Sequence, residues 1–340
     1  MKRWQFWVGV LISVVFLYIA LRGLKLGDVL QTMRTANYWW LIPGIAVYFL
    51  AVLARAWRWH FLVLPIKSVP TLRMFPIVCI GYMGNNIYPA RAGEVLRSVI
   101  LKQTDDVAIS ASLATIIVER IFDGVVMLGF IFVNLGELAT LTHGAGVIGT
   151  VSIQDIAILG TGIFGLALLV IFLTAIFPVQ ASWMTNRMIR LVVPVRFRPQ
   201  LEGMAEKFMS GLGSLRSPRD ALMILLTTIV IWLLETGKYW FVMHAFSFHV
   251  SFYALMLMNG VVNLATTIPS APGYIGTFDA PGIAVLSAYG VDPVIAASYT
   301  LVLHVALWLP ITALGAYYLA REGIRLTEAR AQYNREGIQP

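Results

Sequence analysis

Nine ionisable side chains stand inside otherwise apolar stretches of this chain: Arg91, Glu94, Arg97, Glu119, Arg120, Asp123, Glu235, Lys238 and Asp279. Facing hydrocarbon at mid-bilayer, each would cost ~2.5–3.5 kcal/mol, so together they must face one another or water. Four are basic and five acidic, close enough to balance for pairing. Glu119 and Asp123, four apart, share a helical face with Arg120 beside them, while Arg91, Glu94 and Arg97 recur every three residues as a stripe. Glu235 and Lys238, also three apart, can pair along one helix. Such a set can bind a charged head group, carry a proton, or neutralise itself and lock helix packing. For Glu235 and Lys238, a locking pair and a coupling pair are equal readings. For the Arg91 stripe, binding is favoured because it adjoins a break in the backbone.

That break lies in Gly81–Gln103, GYMGNNIYPARAGEVLRSVILKQ, where Asn86 and Pro89 interrupt an apolar run. A smooth spanning helix is excluded, since irregular backbone at membrane depth survives only inside protein or beside a wet cavity. A second break, Pro272-Gly273-Tyr274-Ile275-Gly276, interrupts the stretch 251–289. Helices are expected to resume at about Glu94 and Thr277, presenting free N–H groups and the positive end of the dipole. Such ends attract anions, and Arg91 adds a forked donor suited to phosphate. Glu94 and Asp279 fall in the first turns of these helices. Each is either a cap that complements the dipole or a contact for a cationic group or proton.

The elements that position these residues follow from composition. At 340 residues, 59% apolar and 12% charged, with a mean hydropathy of +0.78, the chain is an integral membrane protein. The formal charge of +8 gathers between apolar runs, as the positive-inside rule predicts, so nucleic acid is excluded as a partner. Cys79 is the only cysteine, which rules out an intrachain disulfide. The five histidines show no metal-ligand spacing, and no nucleophile elbow or phosphate-binding loop is present. No cofactor or metal is expected, and neither is catalysis.

The fold class is an all-α, polytopic bundle. Six stretches read as full spans: Trp4–Leu21, Tyr38–Leu62, Ser110–Leu135, Ile153–Phe177, Ala221–His244 and Pro293–Ala320. Two interrupted stretches, 71–103 and 251–289, read as re-entrant hairpins of half-helices. Tyr38, Trp39, Trp40, Trp57 and Trp59 read as interfacial belts around the second span. The basic segment 178–220 belongs in the cytoplasm, either as an amphipathic lipid-surface element or as a linker. With it, both termini and the tail 321–340 are cytoplasmic; the basic first loop, with Arg22, Lys25 and Arg34, runs against the trend. Residues 1–135 and 136–320 then form two opposed copies of one unit, the pattern of inverted-repeat transporters. Glu94 and Asp279 each precede a polar position 25 residues later, Glu119 and His304.

Three motifs carry a resemblance that covers nearly the whole chain. They are Asn86-x-x-Pro89-x-Arg91-x-Gly93-Glu94-x-x-Arg97, Glu119-Arg120-Ile121-Phe122-Asp123 and Pro269-x-x-Pro272-Gly273-x-x-Gly276. In this order the chain resembles the flippase-like family, also called the lysylphosphatidylglycerol synthase transmembrane-region family. The resemblance implies a multi-pass protein of a bacterial or archaeal cytoplasmic membrane that moves lipids or lipid-linked molecules. In relatives this region flips an aminoacylated phospholipid made by a fused soluble synthase. No such domain is expected here, so the resemblance does not imply aminoacylation. The implied substrate is a membrane lipid with an anionic or phosphate head group, and a separate lipid-modifying enzyme is a conceivable partner. The implied site joins Asn86, Arg91, Glu94, Arg97, Glu119, Arg120, Asp123, Pro272, Gly273, Gly276 and Asp279. Three positions depart from the family pattern: Tyr274 stands for a usual glycine, Asp279 for a frequent Glu and His304 for a frequent Arg.

Two other classes remain: an intramembrane enzyme acting on lipid-linked substrates, and a non-catalytic partner of a synthase or glycosyltransferase.

Overall fold

A computed structural model describes residues 3–88, 91–142, 147–148, 151–152, 166, 169–170, 173–174, 177–192, 194–212, 215, 217–268 and 270–335. In order the helices are α1 (Arg3–Leu21), α2 (Leu26–Thr35), α3 (Leu41–Val63), α4 (Thr71–Ile87), α5 (Ala92–Asp105) and α6 (Ile109–Thr142). There follow α7 (Pro178–Val192), α8 (Arg198–Gly211), α9 (Pro218–Met243), α10 (Phe252–Ala265), α11 (Asp279–Ala288) and α12 (Pro293–Arg335). The protein is an all-α membrane bundle. Among the described residues three helical stretches are long and apolar enough to cross a bilayer: Tyr38–Val63, Pro218–Met243 and Pro293–Arg321. Residues 9–21 of α1, with α2 bent 82° from them, form a further candidate span. The expected third span is helical within α6, whereas the expected fourth, 153–177, lies largely outside the described residues.

Both interrupted stretches fold back on themselves. Helices α4 and α5, at 17 and 14 residues, reach ~25 and ~21 Å, short of the ~30 Å hydrocarbon core. Arg73 near the start of α4 donates to Asp105 at the end of α5 at 2.8 Å, so both feet of this hairpin share one end. Gly93 lets the limbs touch. A Cβ there would sit 1.9 Å from the Gly81 carbonyl oxygen and 2.5 Å from the Asn85 amide nitrogen, so no side chain fits. In the second hairpin, α10 and α11 span only 14 and 10 residues, and Gly282 sits against Met258.

The helix restarts differ from the sequence expectation. The first new helix begins at Ala92 rather than about Glu94, because Tyr88 before Pro89 is extended (φ −102°, ψ 144°) and Arg91 turns the chain sharply at φ 52°. The second begins at Asp279 rather than about Thr277. Gly276 is left-handed there, and the Thr277 hydroxyl bonds back to the Tyr274 carbonyl.

Packing between the two halves is reciprocal. Helix α3 lies along α9, the last helix of the first half (α6) lies on the first limb of the second hairpin (α10), and α12 lies on α4. Among the described residues the two largest apolar cores are built mainly from α3–α6 and from α9–α12 with Val29 of α2, and two smaller ones join α6 to α9 and α10. Tight seams hold these crossings. A Cβ on Gly315 of α12 would meet the Cys79 carbonyl oxygen at 2.5 Å, and one on Gly260 of α10 would meet the Met127 carbonyl oxygen at 3.1 Å. In the basic segment, α7 exposes Trp183 and Met188, with Arg187 lying over the Trp183 ring. Helix α8 instead packs on α6 and tucks Phe208 against the first core.

Candidate functional site

At the crossing of the halves lies a cavity of about 140 Å³. Both backbone breaks reach it: Asn86 and Arg91 from the first, Gly273 and Tyr274 from the second. Five cationic side chains line it (Arg55, Arg91, Arg97, Arg120 and Lys238) against two carboxylates, Glu94 and Glu235. The lining is therefore basic.

The deeper lining continues into a buried ion-pair lattice. Asp123 accepts from Arg58 at 2.8 Å and from Trp232 Nε1 at 3.0 Å, with Arg55 at 3.6 Å and Arg120 at 3.4 Å. Glu119 pairs with Arg97 and lies 3.7 Å from Arg58. Glu235 pairs with Lys238 and accepts from Arg55 at 3.3 Å. Local sequence makes this possible: Arg55 and Arg58 are three apart on α3, Glu119 and Asp123 four apart on α6, and Trp232, Glu235 and Lys238 follow every three on α9. Aromatic faces hold the cations from the other side. Arg97 lies 4.6 Å over Trp59, Arg55 4.9 Å over Trp232, and Lys238 4.3 Å over Tyr48. Desolvated contacts of this kind contribute ~2 kcal/mol or more.

Three charged groups are wetter. Arg91, Glu94 and Arg120 keep 28%, 20% and 35% of their side chains exposed, against 8% or less for the lattice behind them. Glu94 lies 3.0 Å from Arg120 and 3.8 Å from Arg91, so its charge is shared between the two guanidiniums. Arg91 itself takes a left-handed backbone, a conformation costing of order 1–3 kcal/mol that clusters at functional positions. This is the mouth of the cavity.

The residues singled out from sequence fall into three groups. Asn86, Arg91, Glu94, Arg97, Arg120, Glu235, Lys238 and Gly273 line the cavity. Asn86 does so while donating to Thr312 at 2.8 Å, tying α4 to α12. Glu119 and Asp123 stand behind the lining as counter-ions. Pro272, Gly276 and Asp279 also lie off the lining. Gly276 is wedged on α1, where a Cβ would meet the Ser13 carbonyl oxygen at 2.5 Å.

Asp279 binds the second break together. Its Oδ2 accepts from the Gly276 amide at 2.8 Å, and its Oδ1 meets His304 Nδ1 at 2.8 Å. The start of α11 is thus not an open donor end as expected. The amides of Gly276, Phe278, Ala280 and Gly282 are already bonded to Asp279 or to carbonyls of the loop and first turn. The Arg91 stripe is also divided. Arg97 turns inward to Glu119 and Trp59, leaving Arg91 and Glu94 at the mouth.

Sequence reading missed Arg55 and Arg58. Their signal was an Arg-x-x-Arg pair inside an apolar run, masked by the tryptophans beside it. Trp59 is no interfacial belt, being fully buried with its Nε1 donating to Thr115 at 3.0 Å. Tyr48, Tyr82, Trp232, Asn263 and Trp308 of the lining carried no sequence signal. Among the described residues no group of three His, Cys, Asp or Glu side chains is placed to hold a metal.

The family model for the lysylphosphatidylglycerol synthase TM region matches residues 6–315. The chain belongs to that family. Relatives of the lysylphosphatidylglycerol synthase TM kind include a UPF0104 membrane protein of Methanothermobacter thermautotrophicus, 25% identical, with 94% of this chain and 93% of that protein covered. A UPF0104 membrane protein of Pyrococcus horikoshii is 24% identical over 90% of this chain and 94% of its own length. The glycosyltransferase AglD of Haloferax volcanii is 27% identical across 59% of this chain, which covers 35% of that protein. Tyr274 adopts φ 61°, a left-handed conformation that glycine takes without strain.

Proposed function

We propose that this protein moves a phospholipid or lipid-linked molecule across the membrane by holding its anionic head group in the basic cavity. The observation that carries this reading is the excess of cations: five line the cavity against two carboxylates, and with Arg58, Glu119 and Asp123 counted behind them the set still holds six cations against four carboxylates, while both broken hairpins open onto it. A phosphodiester offers two non-bridging oxygens to the forked donors of Arg91 and Arg120, an arrangement that favours charge-assisted bonds. Acyl chains stay in lipid while the head group passes between the halves. The reciprocal packing supports an inverted repeat whose halves expose the cavity alternately. Lys67, Arg73 and Lys102 gather at the feet of the first hairpin, which favours placing that end, and the basic segment 178–220, in the cytoplasm.

A second reading, a membrane anchor for a lipid-modifying enzyme, draws support from the likeness to AglD, whose name is that of a glycosyltransferase. The two differ in a direct assay. In proteoliposomes, head-group-labelled phosphatidylglycerol added to one leaflet is expected to reach the other at least ten times faster than in protein-free vesicles. A labelled zwitterionic lipid is expected to gain less. Equal rates with and without protein would favour the anchor.

A further inference from the structure

The second break holds a device that the head-group reading does not require. His304 Nε2 lies 2.7 Å from the Gly273 carbonyl oxygen, which can only accept, so Nε2 carries a hydrogen. On the other side of the ring, Nδ1 lies 2.8 Å from Asp279 Oδ1. A lone pair facing a carboxylate would repel. That contact therefore contains a second proton, whether as imidazolium with carboxylate or as imidazole with carboxylic acid. Either way the pair is neutral overall and holds one proton more than a neutral imidazole beside a carboxylate. Phe278 packs against the ring at a 32° tilt with centroids 4.5 Å apart.

The proton holds more than the pair. Through His304 it fastens the Gly273 carbonyl, and Asp279 Oδ2 fastens the Gly276 amide at 2.8 Å. Between these two points the chain runs through left-handed Gly273, Tyr274 and Gly276, at φ 77°, 61° and 82°. Losing the proton would leave His304 a single N–H, able to hold the Gly273 carbonyl or Asp279 but not both, and would leave one added negative charge beside the cavity. Asp279 is buried, but His304, Gly273 and Tyr274 line the cavity, so water there can deliver the proton. The other charged and titratable groups on that cavity are Tyr274 from the loop, Arg91 and Glu94 at the first break, Arg120 of α6, and Glu235 and Lys238 of α9, with Arg55, Arg97, Tyr48 and Tyr82 deeper. Helix α1 brings Ser13 to the loop, and α10 brings Asn263 and Thr266 to the cavity.

We propose that His304 and Asp279 form a single-proton binding site coupled to the cavity, so that an anionic head group and a proton bind together. This rests on the anionic head-group reading above. The sign follows from charge: the protonated pair makes the cavity one unit more positive, so it favours the anion, and by linkage the anion favours the proton equally.

The test titrates short-chain phosphatidylglycerol into the purified protein in buffers of different ionisation enthalpy and at a series of pH values. The wild type is expected to take up as much as one proton per head group, with affinity falling up to tenfold per unit rise in pH. His304→Gln, whose amide can still donate to the Gly273 carbonyl, is expected to bind with no proton uptake and a flat pH profile. Binding without uptake by the wild type, or equal uptake by His304→Gln, would overturn the coupling and leave the head-group reading intact. Should that variant fail to fold, the wild-type buffer series decides alone. Failure of the wild type to bind phosphatidylglycerol at any pH would remove both.

Discussion

Replacing Asp123 by alanine is expected to destabilise the protein by ~3–5 kcal/mol, the usual cost of removing one partner from a buried ion pair. The effect is large because Asp123 is the shared counter-ion of three arginines. Arg58 donates to it at 2.8 Å, and Arg120 and Arg55 stand at 3.4 and 3.6 Å. Arg58 is 1% exposed and would keep only Glu119, 3.7 Å away, as a counter-ion, beside the neutral Thr228 hydroxyl at 2.7 Å. Arg55 would keep Glu235 alone. The Trp232 indole N–H, now bonded to Asp123 at 3.0 Å, would lose its acceptor as well. Thermal unfolding in detergent, followed by tryptophan fluorescence, reads the change. An unfolding midpoint equal to wild type would show that water, not Asp123, neutralises these arginines.

Arg120→Ala is expected to act the other way, on transport rather than on the fold. Its side chain is 35% exposed, and such partly wet pairs contribute ~0–1 kcal/mol to stability. Both its partners retain others: Asp123 keeps Arg58 and Arg55, and Glu94 keeps Arg91 at 3.8 Å. A hydrogen bond from a guanidinium to a phosphate oxygen contributes ~1.5–3 kcal/mol. Its loss corresponds to a ~10–100-fold fall in translocation if the contact forms in the transition state. Translocation of labelled phosphatidylglycerol in proteoliposomes measures it, with the unfolding midpoint as control. A normal rate in a normally folded variant would remove Arg120 from the head-group site.

These two outcomes separate what the sequence made legible from what it hid. Membrane class, helical architecture and most of the charged set were readable because a charge in an apolar run is conspicuous and costly. The first break was readable from Asn86 and Pro89, and its chain reversal follows. The restart at Ala92 was not, because it depends on Arg91 adopting a strained backbone and on Gly93 fitting against Gly81 from the facing limb. Arg55 and Arg58 escaped for a different reason. Tryptophans beside arginines resemble an interface belt until a partner helix supplies Thr115, Glu119 and Asp123. Tyr48 and Trp232 matter only as surfaces against which cations lie, a role set entirely by tertiary contact. His304 stood out as the polar position 25 residues after Asp279 and as a departure from the pattern the resemblance implies, but its bond to Gly273 across 31 positions could not be read from spacing.

In the proposed function an anionic head group occupies the space between the two broken hairpins. Cryo-electron microscopy of the protein in phosphatidylglycerol nanodiscs tests this directly. Phosphate density within hydrogen-bond reach of Arg91 and Arg120, with acyl chains leading away into lipid, is the expected result. A well-ordered cavity that holds only water, with ordered lipid confined to the outer surface, would contradict it.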